Sequence, residues 1–199
     1  MLKAWAGERF LFANGVPLAQ GTFWYLSSPM ARELLLLRHA KSDWDTDTGS
    51  DIERPLAKRG KRDAPRIGEW LYREGLVPSL ILSSTAERAR ETTLRVCKGL
   101  DYKKRDIKWE PAIYEADLET LLRLLADYEH APSTVLMVGH NPGLEDLLRY
   151  LAEDDLDERK DEKLLPTAAL ARLEMPDDWC SLEAGSAVLS RVIRPKALK

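Results

Sequence analysis

The chain has 199 residues, a formal net charge of −3 and 44% hydrophobic residues, a composition typical of one folded globular domain. The near-balance of acidic and basic residues disfavours a general binder of nucleic acid or membrane surfaces, which would carry a basic excess. No apolar run approaches the roughly 18 residues that a membrane-spanning helix needs.

The first 32 residues lack the regularity of the rest of the chain. They mix aromatic residues and glycines without a sustained period of 2 or 3.6, and the apolar run at Phe10–Ala13 is too short for a secretory signal. Met30 stands just before the first clear strand pattern. We therefore interpret residues 1–32 as an N-terminal extension, favour a mis-assigned translation start as its origin, and predict one domain over 33–199.

From residue 33 onward, predicted strands alternate with predicted helices. Glu33–Leu37 is a nearly continuous apolar run, typical of a strand buried on both faces. A helix is predicted over about 57–74, and Pro65 within it predicts a kink or a broken first part. The other predicted strands are Leu80–Ser83, Ile107–Trp109, Thr134–Val138 and a closing pair at Ala168–Glu174 and Ala187–Ile193, and the other helices are Glu87–Lys98, Leu118–Tyr128 and Pro142–Leu151. This alternation predicts an α/β fold, a three-layer α/β/α sandwich with a mostly parallel central sheet.

Basic and imidazole side chains follow the predicted strands at the points where the strands end. Arg38 and His39 come directly after the first strand, Arg88 lies shortly after the second, Glu115 after the third, and His140 after the fourth. Ligands of open α/β sheets bind at the carboxyl ends of the strands, so these residues are expected to converge at one edge.

Two imidazoles and two guanidiniums at one edge repel each other unless an anion compensates their charge. Arg38 and Arg88 can offer paired donors to phosphoryl oxygens. The helix start after Asn141 can add backbone N–H groups and the positive end of a helix dipole. The pattern therefore indicates a site for a phosphoryl group, where catalysis rests on stabilising charge on the phosphoryl oxygens.

The sequence carries none of the common alternative phosphate or metal motifs. It has no G-x-x-x-x-G-K-[ST], no G-x-G-x-x-G and no H-E-x-x-H, and the C-x5-R spacing of cysteine phosphatases fails at both Cys97 and Cys180. We therefore expect no metal ion and no cofactor. Two cysteines are also too few for a disulfide framework, which favours a reducing, cytoplasmic setting.

Three stretches in chain order resemble the motifs of a known family. Leu37-Arg38-His39-Ala40-Lys41-Ser42 resembles the R-H-G/A signature of the histidine phosphatase superfamily, whose fold is phosphoglycerate-mutase-like. The stretch 83–92 resembles its second-arginine motif, and 138–143 resembles its second-histidine motif. The R-H-A-K-S form, Arg54-Pro55-Leu56 and G-H-N-P-G together most resemble the SixA-like phosphohistidine phosphatases. The predicted domain would then be a histidine phosphatase domain.

The resemblance implies a role for each matching residue. His39 would be the nucleophile, carrying the phosphoryl group as a phosphohistidine intermediate that water then hydrolyses. Arg38, Arg88 and His140 would bind the phosphoryl oxygens, with His140 favouring its charged form beside the anion. Independently of the resemblance, Arg54 can reach the rim of the pocket and meet an acidic protein substrate there, whereas Arg59 can face solvent.

The general acid is the least defined element of this site. Glu115 is the candidate acid, with Asp117 and Glu119 behind it, and the alternative is that Glu115 is a solvated loop residue. A phosphoramidate substrate needs no protein acid if its own imidazole nitrogen is protonated.

Three functions remain open at this point. The first is a metal-independent phosphatase of phosphohistidine proteins, and the second is a phosphatase of small phosphate esters with the same chemistry. The third is a non-catalytic phosphate-binding module. The intact set of Arg38, His39, Arg88 and His140 argues against the third, because binding alone requires no nucleophile. Neither nucleic acid nor a membrane is an expected partner.

Overall fold

The computed structural model describes residues 32–102, 107–128, 133–153 and 163–198. The N-terminal extension predicted for residues 1–32 lies outside this part of the chain except for Arg32, so the domain boundary stays a prediction. Six strands are described: β1 (Arg32–Arg38), β2 (Leu80–Ser83), β3 (Ile107–Trp109), β4 (Thr134–Gly139), β5 (Leu170–Met175) and β6 (Val188–Ile193). The α-helices of the described residues are α1 (Lys58–Arg73), α2 (Glu87–Leu100), α3 (Leu118–Asp127) and α4 (Gly143–Leu151).

The strands form one mixed sheet in the order β3-β2-β4-β1-β5-β6. The first four strands pair in parallel, β1 with β4, β4 with β2 and β2 with β3. Between the two strands of each pair the chain passes through at least one helix. β5 and β6 add an antiparallel pair at one edge, against β1. The predicted α/β fold with a mostly parallel sheet and a closing hairpin is confirmed.

The leucines of β1 point alternately into two cores, one on each face of the sheet. Leu34 and Leu36 pack with apolar residues of α3 and α4, whereas Leu35 and Leu37 pack with those of α1 and α2. All four are completely buried. The continuous apolar run read from the sequence therefore reflects burial on both faces, and β1 is the strand around which the three layers are built.

Helix α1 does not break at its proline. A single helix runs from Lys58 to Arg73 through Pro65, so the predicted broken first part is wrong. Its buried face, which includes Ile67 and Leu71, packs on the sheet, and this burial outweighs the loss of one backbone hydrogen bond.

Helices α1 and α2 approach each other closely through glycine. A Cβ atom placed on Gly68 of α1 would lie 2.2 Å from the carbonyl oxygen of Val96 in α2. One placed on Gly99 of α2 would lie 2.8 Å from the carbonyl oxygen of Pro65. Both neighbours are backbone atoms, which no side-chain rotation can move away. The two helices can therefore pack this closely only because Gly68 and Gly99 have no side chain.

No helix in the described ranges is long and apolar enough to cross a membrane.

We expect Gly68→Ala to lower the free energy of unfolding by about 1–3 kcal/mol, because the added methyl group forces α1 away from α2. The intrinsic helix preference of alanine, worth about 1 kcal/mol, acts in the opposite direction but is smaller than the steric cost. Chemical denaturation measures the change. Glu69→Ala, at an exposed position of the same helix, is the matched control and should change stability little. A Gly68→Ala variant as stable as the wild type would show that the helices do not pack this closely.

Candidate active site

The pairing of β1 with β4 places two histidines side by side. Arg38 is the register partner of Gly139 in this parallel pair, so the next residue on each strand, His39 and His140, leaves the sheet at the same point. The His39 backbone N–H donates to the Gly139 carbonyl at 3.0 Å, which continues the pairing by one step. The two imidazole rings are 5.0 Å apart between centroids, and both are buried.

The hydrogen bond of His39 defines which ring nitrogen is reactive. Nδ1 lies 2.8 Å from the carbonyl oxygen of Ala40, and because a carbonyl only accepts, Nδ1 must carry the proton. Burial, then the nearby charges of His140, Arg88 and Arg38, lowers the pKa of His39 to about 3, against an upward effect from the Ala40 hydrogen bond. At neutral pH the imidazole is therefore uncharged, and Nε2 has an available lone pair.

His140 lies in a similarly charged environment. Its Nε2 is 2.8 Å from the Ser84 hydroxyl, and Tyr114 packs edge-on against its ring at 5.6 Å between centroids. Burial, and after it the charge of Arg88, lowers the pKa of His140 to about 4, while the carboxylate of Asp51 acts in the opposite direction. A bound phosphoryl anion would oppose the effect of the arginines and favour the charged imidazole.

Arg38 and Arg88 approach the histidines from two elements. Arg38 ends β1 and donates through Nη1 to the Leu165 carbonyl at 2.9 Å, and burial lowers the pKa of its guanidinium. Arg88 lies in the first turn of α2 and contacts Asp51 through both terminal nitrogens. The Nε atoms of both arginines are buried and have no hydrogen-bond partner among the described residues, so each retains a donor.

Arg54 belongs to the same cavity, although the sequence placed it only at the rim. Its guanidinium is buried, donates through Nη1 to the Ser42 hydroxyl at 2.5 Å, and pairs with Asp51 at 2.6 Å. It also stacks over the ring of Trp44, 3.6 Å from the ring centroid.

Asp51 and Tyr114 were not singled out from the sequence. The only sequence signal for Asp51 is its position three residues before Arg54, which is a common spacing for an ion pair within one turn.

Glu115 lines the cavity but is exposed. It adopts a left-handed backbone conformation, with φ of 54°, which is uncommon for a residue with a side chain. Asp117, two residues later, accepts a hydrogen bond from the Thr120 backbone N–H at 2.9 Å and caps the N-terminus of α3. Asp117 is therefore occupied by a structural contact, and Glu115 is the more available carboxylate.

These side chains surround an open cavity of about 790 Å³ at the carboxyl ends of β1 and β4. All five residues selected from the sequence line it, namely Arg38, His39, Arg88, Glu115 and His140. Lys41 and Arg59 add further positive charge to its lining. Within the described ranges, no group of three or more His, Cys, Asp or Glu side chains is arranged to hold a metal ion.

The arrangement places a neutral imidazole with an available lone pair beside several guanidinium donors. Such a site can bind a dianionic phosphoryl group and transfer it to nitrogen, because the donors are already in place before the charge arrives.

Comparison with known proteins places this geometry in a family. The model of the histidine phosphatase superfamily, branch 1, matches residues 34–123. An uncharacterized protein of Mycobacterium tuberculosis is 34% identical over 158 residues, which cover 77% of this chain and 96% of that protein. An uncharacterized chloroplastic protein of Arabidopsis thaliana is 34% identical over 134 residues, which cover 63% of this chain and 62% of that protein. The chain thus spans less than two thirds of the Arabidopsis relative.

A solved structure extends the match over almost a whole protein. A protein from Agrobacterium tumefaciens, assigned by name to the SixA phosphohistidine phosphatases, superposes with a TM-score of 0.69 and 31% sequence identity. The superposition covers 83% of this chain and 99% of that one. Sequence motifs, fold and cavity agree, and the chain belongs to the histidine phosphatase superfamily.

Proposed function

We propose that this protein is a metal-independent phosphatase that removes phosphoryl groups from phosphohistidine side chains of other proteins. The observation that carries the proposal is the neutral His39, whose Nε2 is available beside His140 and the arginines of an open cavity. The likeness to a protein assigned as a SixA phosphohistidine phosphatase supports the choice of substrate class.

In the first step, Nε2 of His39 attacks the phosphorus atom of the substrate. A new P–N bond forms to His39 while the P–N bond to the substrate imidazole breaks, and the leaving imidazole takes a proton. In the second step, water attacks the phosphorus atom, the P–N bond to His39 breaks, and inorganic phosphate leaves. The proton lost by water balances the proton taken up by the leaving group.

The arginines and His140 stabilise the charge of the transferring group. Arg38, Arg54 and Arg88 contribute three positive charges to the cavity, and Asp51 removes one. The net positive charge of these side chains suits a phosphoryl dianion. Because these groups are held by the fold before the substrate binds, little reorganisation is needed in the transition state.

The form of the cavity supports a substrate presented on a protein surface. Trp44 stands at its rim with a side chain that is 69% exposed, next to the buried guanidinium of Arg54. An exposed aromatic side chain beside a cation is a suitable contact for another protein. The weakly defined acid also agrees with a phosphohistidine substrate, whose leaving imidazole can be protonated without help from the enzyme.

A second candidate function is hydrolysis of a small phosphate ester, and Glu115 is the observation that favours it. An alkoxide leaving group needs a proton, and Glu115 is a carboxylate on the cavity wall. The two candidates differ in how strongly their rates depend on that side chain.

His39→Ala should abolish phosphate release from a phosphohistidine protein, because the proposed mechanism transfers the phosphoryl group to the His39 imidazole. The wild type should remain active in EDTA. Lys108→Ala, which changes an exposed residue of β3 outside the cavity, is the control and should keep wild-type activity. Undiminished release by His39→Ala would rule out the covalent mechanism.

Acid should destabilise the wild type through His39. The pKa of His39 in the folded protein, about 3, lies below the ordinary value of 6.5, so between these pH values His39 binds a proton in the unfolded chain but stays neutral in the folded protein. The contribution of His39 to the free energy of unfolding is therefore complete above pH 6.5 and falls as the pH falls, by about 2 kcal/mol at pH 5. Denaturation of wild type and His39→Gln over pH 5–7.5 measures it, and the variant should lose less stability. Equal losses would mean that His39 is not buried in its neutral form.

Glu115→Gln should separate the two substrate classes. Removing the acid should slow hydrolysis of an alkyl phosphate, whose leaving group is an alkoxide, at least about 10-fold, and it should slow phosphohistidine hydrolysis much less. The measurement is kcat/KM for both substrates. Glu69→Gln, at an exposed position of α1 outside the cavity, is the control with the same charge change. Equal losses on both substrates would remove the proposed acid role of Glu115.

A further inference from the structure

The carboxylate of Asp51 joins three parts of the cavity wall. Its Oδ1 atom pairs with Arg54 at 2.6 Å, and its Oδ2 atom pairs with Arg88 at 2.9 Å. The Tyr114 hydroxyl donates to Oδ2 at 3.1 Å. Asp51 itself lies in a short 3-10 turn between β1 and α1. One side chain thus links that connection to the start of α2 and to the loop that precedes Glu115.

Asp51 holds Arg88 at two points. Besides the contact with the carboxylate, Nη1 of Arg88 donates to the Asp51 backbone carbonyl at 2.7 Å. Two contacts to one residue restrict rotation of the planar guanidinium, and they leave its buried Nε without a partner among the described residues. Arg54 is held similarly, because both its Nε and its Nη2 approach Oδ1, at 3.0 and 2.6 Å.

A carboxylate in a phosphoryl site has two opposing effects. Its negative charge repels the substrate anion, but its hydrogen bonds orient the arginines that bind that anion. Burial acts to raise the pKa of Asp51, yet the hydrogen bond from Arg54 and the charge of Arg88 outweigh it and hold the pKa below its ordinary value. Asp51 is thus charged at neutral pH and already neutralised by two guanidiniums, so its remaining repulsion is small and its orienting effect dominates.

We propose that Asp51 is a positioning residue, which orients Arg88 and Arg54 for the phosphoryl group and does not touch the substrate itself. This inference rests on the proposed function, since it assigns the arginines to phosphoryl binding. It explains how two buried arginines keep fixed directions in an open cavity. A disordered guanidinium would have to be ordered in each catalytic cycle at a cost in free energy.

Asp51→Ala should lower kcat/KM about 10–100-fold, mainly through kcat. The reason is that misdirected arginines lose more of their stabilisation of the transition state than of their stabilisation of the bound substrate. Asp51→Asn should be intermediate, since its amide oxygen can still accept from one arginine. Asp47→Ala removes the same charge from an exposed position of the same loop and should stay within about twofold of the wild type. Thermal unfolding of each variant verifies that the protein is folded.

A double-mutant cycle separates positioning from a general structural effect. If Asp51 acts through Arg88, then Asp51→Ala should cost much less in an Arg88→Ala background than in the wild type. Full additivity of the two losses would overturn the inference.

Tungstate binding, measured by calorimetry, gives a readout that does not depend on turnover. Asp51→Ala should bind tungstate about 10-fold more weakly than the wild type, despite having lost a negative charge. Equal or tighter binding would identify Asp51 as a source of repulsion and overturn the inference. If the wild type binds tungstate but hydrolyses no phosphohistidine protein, the proposed function fails while the role of Asp51 is still decided by the binding result.

Discussion

The site depends on the register between β1 and β4. These strands pair so that Arg38 lies opposite Gly139, and the next residue on each is a histidine. A shift of one residue would turn each leucine of β1 toward the opposite core and would separate the two imidazoles. Burial of Leu34–Leu37 on both faces of the sheet holds the strand in place. The same packing that stabilises the centre of the fold therefore sets the distance between the imidazole rings of His39 and His140.

The second constraint is electrostatic. Buried arginines lie beside two histidines, and burial, followed by the positive charge of these arginines, lowers the pKa values of His39 and His140. Both effects keep the His39 imidazole uncharged. The repulsion among the cationic groups also favours binding of a group that carries two negative charges, whose arrival relieves it. In our account Asp51 directs the arginines at a small electrostatic cost, because its own charge is already compensated.

Much of the fold followed from the sequence, because alternating helix and strand patterns are local and strong. The histidines could be placed together because parallel strands end at one edge of a sheet. Asp51 and Tyr114 were not found, because the contacts of Asp51 with Arg88 and with Tyr114 join segments that are far apart in the chain. The break expected at Pro65 was wrong, because packing of α1 on the sheet outweighs the tendency of proline to interrupt a helix. The position of Glu115 on the cavity wall agrees with its selection, but its role depends on the substrate.

The proposed mechanism requires His39 to carry the phosphoryl group during turnover. Rapid quenching of the enzyme mixed with a phosphohistidine protein, followed by peptide mapping under alkaline conditions, tests it most directly, because phosphohistidine survives alkali but not acid. Our account predicts an acid-labile phosphoryl group on the peptide that contains His39, formed and lost at rates consistent with turnover. A phosphoryl group found on His140 instead, or turnover without any labelled histidine, would contradict it.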